Sequence, residues 1–489
     1  MLRLLSERFQ GRVDTPGAGT ELPVLTADEV AVLIPAHNEE LVLRAAIDSA
    51  ARQVPLRNIH VIADGCTDNT AQLARSCMVN VLELQPGRGK AGGIEAAVDH
   101  FDLPSRFSFL LIVDADTELD SHYLERGLRL MSDDNVTALA GYARSVWRPA
   151  DLSLTGRFLA AYRARLYFAM QWIKYGQTWR FTNVTAIVPG FASMYRTRVL
   201  PQMNLNPPGL VIEDFNMTFE LHHKRLGRIA FQPSVFAWTQ DPGNFPDYFS
   251  QVTRWWLGFW QTLFRHKLWA SGFCVALSLF LFESVLASLI LILVTLGIVL
   301  DALPSVSGDL LLNWDLYQSF EGLSTQLLSP TNLLLFLFLP DYLLTCIVAL
   351  SVRRPSLLIY GFGFIPIRIV DAVVILRTLV TSRILHSNGQ WTSPARRPVA
   401  DRSAAVAGDV DRGVVSAPVG SEQRQSDRAA SACSDTRGRR IVLRDGLFVA
   451  AAVVLAALLV QVMPVPVLIS SAMVILGGAL VWSYRKRWV

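Results

Sequence analysis

Several short polar clusters in this 489-residue sequence carry residue types able to handle a phosphorylated ligand. Asp114-Ala115-Asp116 places two carboxylates two positions apart, directly after the apolar run Phe109 to Val113. Carboxylates so spaced at a strand end can share a hard divalent cation, Mg2+ or Mn2+, with a nucleotide whose phosphate oxygens fill the remaining coordination positions. The stretch Pro86 to Gly93 (PGRGKAGG) is a basic, Gly-rich turn opening a helix. Its backbone N–H groups and the Lys90 ammonium can hold a diphosphate, although the spacing is not that of a Walker A loop. Asp64 ends another apolar run, where a carboxylate can accept hydrogen bonds from a base or ribose and Gly65 lets backbone approach closely. Glu213 and Asp214 are adjacent carboxylates after the turn Pro207-Pro208-Gly209, and Asp214 can act as a general base. Gln251 to Trp256 (QVTRWW) opens an aromatic, basic stretch reaching Trp269, as expected of an amphipathic helix at a membrane surface. Each cluster alone also has a plain reading: turn chemistry, a surface loop, charge at a helix N-terminus, an interfacial anchor. Their order along the chain gives them weight.

The elements that must position these groups read as alternating β and α from residue 30 to about 240. Short apolar runs at Val30 to Ile34, Ile59 to Ala63 and Phe109 to Val113 each end in polar or Gly-containing turns, with helix-like stretches such as Leu41 to Arg52 and Thr70 to Cys77 between them. The expected fold is α/β, a doubly wound and mostly parallel sheet, whose ligands bind at the carboxyl ends of the strands. The first run leads into Pro35 to Glu40 (PAHNEE), which puts His37 and Glu39 at that edge beside Asp64.

Hydrophobic residues make up 51% of the chain, too many for an ordinary soluble protein and enough to exclude a disordered one. A net charge of +4 gives no reason to expect nucleic acid as a partner. The five cysteines, at 66, 77, 274, 346 and 433, form no CxxC pair, which argues against a disulfide framework or structural zinc and fits a reducing compartment. Phe273 to Leu300 carries one charge, Glu283, over a length sufficient to cross a bilayer. Leu333 to Leu350, Gly446 to Met463 and Val465 to Tyr484 read as further spans. Leu357 to Val380 is also apolar but holds Arg368, Asp371, Arg377, two glycines and Pro366. The loop from Asp301 to Asn332 has no Lys or Arg, whereas later flanks are basic. Four crossings keep those basic flanks on one side, so 357–380 is expected to be re-entrant or interfacial. With Met1 to Pro23 lacking an apolar anchor, the catalytic part is expected on the cytoplasmic side of a multi-pass protein of the cell membrane. The resulting division is an N-terminal extension 1–27, an α/β domain 28–248, an interfacial helix 249–270, a transmembrane and interfacial region 271–392, a disordered Arg-rich linker 393–444 and a transmembrane hairpin 445–489.

In that order, PAHNEE, DGCTDNT, GRGKAGG, DAD, ED and QVTRW followed by spans, the chain over about 28–390 resembles the membrane-bound processive glycosyltransferases of family 2. These include cellulose, hyaluronan, chitin-oligosaccharide and poly-N-acetylglucosamine synthases. The resemblance implies a GT-A domain and a nucleoside-diphosphate sugar donor, usually UDP-linked. It implies Asp64 on the base, Lys90 near the diphosphate, Asp114 near the ribose, Asp116 on the metal and Asp214 as the base that deprotonates the acceptor. His37 stands where many relatives have an aromatic packed on uracil, and Glu39 belongs to the same donor-binding segment. Gln251, Arg254 and Trp255 match QxxRW, the Trp as platform for the acceptor sugar and the Arg at the diphosphate. Pro189 to Arg196 resembles the acceptor-side loop. The expected product is a β-linked polysaccharide, with N-acetylglucosamine a candidate sugar, built and exported by an inverting reaction on a glycan or lipid-linked acceptor. The alternative is transfer of a single sugar to a lipid or protein.

Overall fold

The computed structural model describes residues 25–147, 152–175, 179–210, 212–302, 317–318 and 328–384. Most of the N-terminal extension, the linker 393–444 and the hairpin 445–489 lie outside the described residues. The chain divides into two compact units, Met1–Ile292 with Ile369–Pro398, and Leu293–Arg368 with Val399–Val489.

The first unit is built on one sheet. Its strands are β1 (Val30–Ala36), β2 (Ile59–Asp64), β3 (Asn80–Leu84), β4 (Phe109–Val113), β5 (Thr117–Leu119), β6 (Val136–Ser145), β7 (Ala192–Arg196) and β8 (Arg228–Thr239). Across the sheet they run β3-β2-β1-β4-β7-β6-β8-β5. All residues of β1, β2 and β4 are buried, as their near-continuous Val, Ile, Leu and Ala content requires of strands covered on both faces. Helices α1 (Leu43–Ala51), α2 (Thr70–Ser76) and α3 (Gly89–His100) connect the first four strands, so the β1–β2, β2–β3 and β1–β4 pairings are parallel. The α/β expectation holds for this half of the sheet. Beyond β4 the sheet is mixed, because β7 pairs antiparallel with both β4 and β6, and β5 antiparallel with β8. The antiparallel β7 matters for the site: Ala192 stands opposite Val113, which brings the segment before β7 to the edge where β4 ends.

Four more of this frame's longer helices follow. They are α4 (Tyr123–Met131), α5 (Leu154–Tyr167), α6 (Glu213–His223) and α7 (Phe245–His266). The aromatic stretch expected to start near Gln251 lies inside α7, which begins six residues earlier where the Asn244 side chain accepts the Asp247 N–H at 2.9 Å. Phe259, Trp260 and Leu263 of α7 bury themselves with Phe219 of α6 and with Phe273, Cys274 and Leu277 of the next helix, α8 (Gly272–Ala302).

Three helical segments are long and apolar enough to cross a membrane: Gly272–Leu300, Leu333–Ser351 and Ser356–Thr381, with mean hydropathies of 2.5, 2.3 and 1.9. The second includes α9 (Leu339–Ser351), and the third ends in α10 (Phe364–Thr381). In the third, the glycines that suggested a broken path form one 3-10 turn, Gly361–Gly363, between helical stretches, so by length and composition it meets the requirement for a full crossing. In the second unit Arg368 is paired with Asp341 of α9, and Tyr342 donates to the Leu358 carbonyl at 3.0 Å.

Candidate active site

The site grows from the carboxyl ends of β2 and β4. Asp64 is buried, and its two carboxylate oxygens accept the Arg88 N–H at 2.6 Å and the Gly89 N–H at 2.8 Å. A negative charge thus anchors the Gly-rich turn at the point where α3 begins, as oriented N–H groups favour. The close approach depends on Gly65, whose φ of +62° is left-handed and whose absent Cβ would lie 3.1 Å from the Gly87 backbone. His37 Nδ1–H donates to the Asp64 carbonyl oxygen at 2.6 Å; since a carbonyl only accepts, this bond fixes the proton on Nδ1. Glu39 is buried at the entry to α1, where its N–H donates to Thr70 Oγ1 at 2.9 Å and its carbonyl accepts from Leu43 at 3.0 Å.

Anchoring the turn at Asp64 sends Lys90 inward. Its Nζ lies 2.7 Å from Asp114 Oδ1 and 2.7 Å from Glu213 Oε1. Asp114 leaves β4 with its N–H donating to the Phe191 carbonyl at 3.0 Å, the main-chain link that carries the antiparallel β7 pairing into the site. Residues 188–190 are then stitched to α6 twice. The Val188 N–H donates to Thr218 Oγ1 at 2.9 Å, and the Gly190 N–H donates to Asp214 Oδ2 at 3.0 Å. Gly190 is the hub, since a Cβ there would sit 2.9 Å from Lys90 Nζ, 3.0 Å from Glu213 Oε1 and 3.5 Å from Asp214 Cβ.

The electrostatics follow from this crowding. Burial, then the neighbouring Glu213 charge, pushes the Asp214 carboxyl up to about 7. Burial pushes the Asp114 carboxyl up as well, with the Asp116 charge adding to it against the pull of Lys90. Glu213 is also opposed by burial, but the Lys90 charge and hydrogen bond hold its carboxyl below the ordinary range. Lys90 is held protonated despite burial because Asp114 and Glu213 flank it. Two adjacent carboxylates of α6 thus differ in character: Glu213 is the fixed anion and Asp214 the one whose proton is movable near neutral pH.

For a divalent cation the hard oxygen donors available are Asp116, with Asp114 beside it. Among the described residues no three His, Cys, Asp or Glu side chains cluster as a closed cage. One or two carboxylates at an open edge is the donor set with which Mg2+ or Mn2+ binds alongside phosphate oxygens, and a cation would offset both the burial and the Asp116 charge that oppose the Asp114 anion. The residues present fit such an ion.

The α7 residues form the other wall. Arg254 lies near enough to Glu213 to help hold its carboxyl down. Gln251 accepts a hydrogen bond from Arg163 of α5, whose guanidinium carbon lies 4.4 Å from the centroid of the Trp255 ring. Tyr162 and Tyr248 each donate to Asp371 of α10 at 2.6 Å. Asp371 and Arg368, three positions apart on one apolar segment, thus find partners on other helices. The structure therefore joins Lys90, Asp114 and Asp214 through direct contacts or the shared Gly190, joins His37 to Asp64 and Asp64 to the turn that leads into Lys90, places Glu39 against Thr70, reaches Asp116 and Arg254 through electrostatic proximity, and places Gln251 and Trp255 around Arg163. Two residues of this assembly were missed as site residues. Glu213 was visible as half of an acidic pair, but its ion pair with a lysine 123 positions earlier was not. Arg163 had no local signal at all.

Residues 27–258 match the family model described as "Glycosyltransferase like family 2". A probable glycosyltransferase, YdaM of Bacillus subtilis (strain 168), is 26% identical over 240 residues, which are 46% of this chain and 54% of that protein. The poly-beta-1,6-N-acetyl-D-glucosamine synthase of Staphylococcus epidermidis is 20% identical over 259 residues, 49% of this chain and 58% of the relative. The dolichyl-phosphate beta-glucosyltransferase of Dictyostelium discoideum is 30% identical over 103 residues, 18% of this chain and 30% of that one. The chain spans just over half the length of the first two relatives. Among solved structures, the mannosyltransferase PcManGT from Pyrobaculum calidifontis, in complex with GDP-Man and Mn2+, is similar with a TM-score of 0.45 at 15% identity, covering 78% of this chain and 94% of that one.

Proposed function

Starting from residues 27–258 as a glycosyltransferase domain of the family 2 type, we propose that the chain is an inverting membrane glycosyltransferase. In this reading it uses a nucleoside-diphosphate sugar, UDP-linked, to extend a β-linked polysaccharide of N-acetylglucosamine and pass it across the bilayer. The observation that carries the reading is the meeting of Lys90, Glu213 and Asp214 around Gly190, with Asp114 on Lys90 from the other side, so that one cation, two carboxylates paired with it and one carboxylate with a movable proton share a small space.

His37, Asp64 and Glu39 shape the pocket edge for the nucleoside, with Asp64 acting through the turn it anchors. Lys90 exchanges its carboxylate partners for diphosphate oxygens, and Asp114 faces the ribose. Asp116, with Asp114 beside it, would hold Mg2+ or Mn2+, which when bound offsets charge on the diphosphate as the sugar–phosphate bond breaks. Asp214, held at both oxygens by the Gly190 and Phe215 N–H groups, takes the proton of the acceptor hydroxyl while that oxygen bonds to the anomeric carbon. Attack opposite the departing diphosphate inverts an α-linked donor to a β-glycoside. Arg254 stands at the diphosphate side, and Trp255 offers its ring to the acceptor sugar with Gln251 beside it. The three helices long and apolar enough to cross a membrane support a bilayer location in this reading, with the catalytic domain on the cytoplasmic side where nucleotide sugars are made.

A second reading, transfer of one sugar to a lipid-linked acceptor, is favoured by the similarity to the Dictyostelium dolichyl-phosphate enzyme. Product length separates the two. The full chain in lipid nanodiscs, given a panel of nucleotide sugars with Mg2+ or Mn2+, should release nucleoside diphosphate most readily from UDP-N-acetylglucosamine and yield a ladder of products. Single-sugar adducts under donor excess would select the second reading, and no nucleoside diphosphate release from any donor would defeat both.

A further inference from the structure

Resting on the acceptor role proposed above for Trp255, the geometry points to Arg163 as the positioning residue of the acceptor platform. Arg163 is fully buried on α5, with none of its surface exposed. Its guanidinium lies between two rings of α7, 4.4 Å from the Trp255 centroid and 4.8 Å from that of Tyr248. It also donates through Nη2 to the Gln251 side-chain oxygen, while Nε and Nη1 make no hydrogen bond among the described residues. One planar cation thus touches three α7 residues at positions 248, 251 and 255, which a helix brings to one face by their i, i+3 and i+7 spacing. A guanidinium suits this place because it can stack on aromatic faces and donate in its own plane together, which an ammonium cannot.

The charge is supported from behind. Asp241 and Asp371 are close enough to act on Arg163 electrostatically. Asp371 also receives the hydroxyls of Tyr162, the neighbour of Arg163 on α5, and of Tyr248, one of the two stacked rings. Rotation of the Trp255 ring away from Arg163 would leave a buried cation with one of its two aromatic faces lost, so the ring is held in a single orientation before any acceptor arrives. Arg163 touches none of the reacting atoms in this arrangement; it acts through Trp255 and Gln251.

The test uses the full chain in nanodiscs with Arg163→Met and Arg163→Lys, alone and combined with Trp255→Ala, and the donor and acceptor that wild type turns over fastest. Arg163→Met should raise the acceptor KM by about tenfold with the donor KM changed less than about twofold, the split expected when acceptor binding alone is disturbed. Arg163→Lys should fall between Met and wild type, and Arg163→Met should add nothing to Trp255→Ala. An unchanged acceptor KM, or full additivity with Trp255→Ala, would overturn the proposal. A second arm needs no turnover and uses Arg163→Lys if the Met variant fails to fold. The Trp255 emission, taken as wild type minus Trp255→Phe, should shift to the red and become more quenchable by acrylamide once Arg163 is replaced. An unchanged difference spectrum would overturn the assignment even if no donor proved active, which separates its failure from that of the glycosyltransferase reading.

Discussion

Asp214 is under opposing pulls, for burial and the Glu213 charge favour its neutral form while two backbone N–H groups favour its anion. With the carboxyl at about 7, the base form that catalysis needs is lost as pH falls through neutrality. The pH profile of kcat/KM should therefore show an acid limb near pH 7, and the limb should vanish with the activity in Asp214→Asn. The same residue makes a stability prediction of opposite sense. A carboxyl whose folded value lies above its unfolded value near 3.8 binds its proton more tightly when folded, so the fold loses stability as pH rises from about 4 to 7 and the loss is complete above that window. The stability of Asp214→Asn relative to wild type should then rise by on the order of a few kcal/mol between pH 5 and pH 8, since the loss of one N–H acceptor weighs equally at both, read as the shift in thermal midpoint at each pH. Gly190→Ala tests the hub in another way. The atoms its methyl would meet first are the far ends of Lys90 and Glu213, which can swing aside. The fold should lose no more than about 1–3 kcal/mol, whereas transfer should fall by a factor of about a hundred because the displaced groups no longer converge.

The elements show why the parts assemble. The turn before α3 is held to β2 by one carboxylate accepting two N–H groups, a strong arrangement that an amide cannot reproduce because only one of its two ends accepts. Asp64→Asn should cost about 1–3 kcal/mol in denaturant unfolding and weaken UDP binding through the loosened turn, which calorimetric titration would read. The strands β1, β2 and β4 were legible because residues buried on both faces make near-continuous apolar runs, interrupted before the closing Asp64 only by the buried His60 in β2. Their lengths were less so: β1 continues two residues past the expected Ile34, through Pro35 and Ala36. The half-exposed β3 and the long β6 and β8 were not singled out, since Asn80, Glu83, Arg144 and Gln232 break the apolar pattern on faces that only the folded neighbours define. The antiparallel β7 was invisible for a related reason: an extended segment does not announce its direction, and direction is decided by the strand it meets. Within the site, residues next to a turn or a strand end could be read from local motifs. Arg163 could not, because a guanidinium inside an Ala, Tyr and Arg-rich helix has meaning only once α7 lies against it.

At the scale of the whole chain, Glu283, Asp341, Arg368 and Asp371 of the apolar helices each have partners on another segment. Asp341 keeps only 3% of its side-chain surface exposed and is paired with Arg368. Arg368→Ala would remove the ion-pair partner of that buried carboxylate and should lower stability in detergent, with Asp341→Asn in the same chain recovering much of the loss. Lys174 reaches Glu283, the one charge of the first span, at 2.7 Å. The helix that carries Glu283 runs 31 residues, Gly272–Ala302, roughly 46 Å of rod, against about 30 Å of hydrocarbon. Its near end is bolted to the aromatic cluster that includes Phe219, five positions beyond Asp214. If this helix crosses as proposed, a rod longer than the slab must lean, and the lean changes with lipid chain length. Since the pivot lies in the helix that bears the candidate base, turnover should respond to whether the enzyme is reconstituted in short-chain or long-chain lipid, making the thickness of the surrounding bilayer a mechanical input to the chemistry.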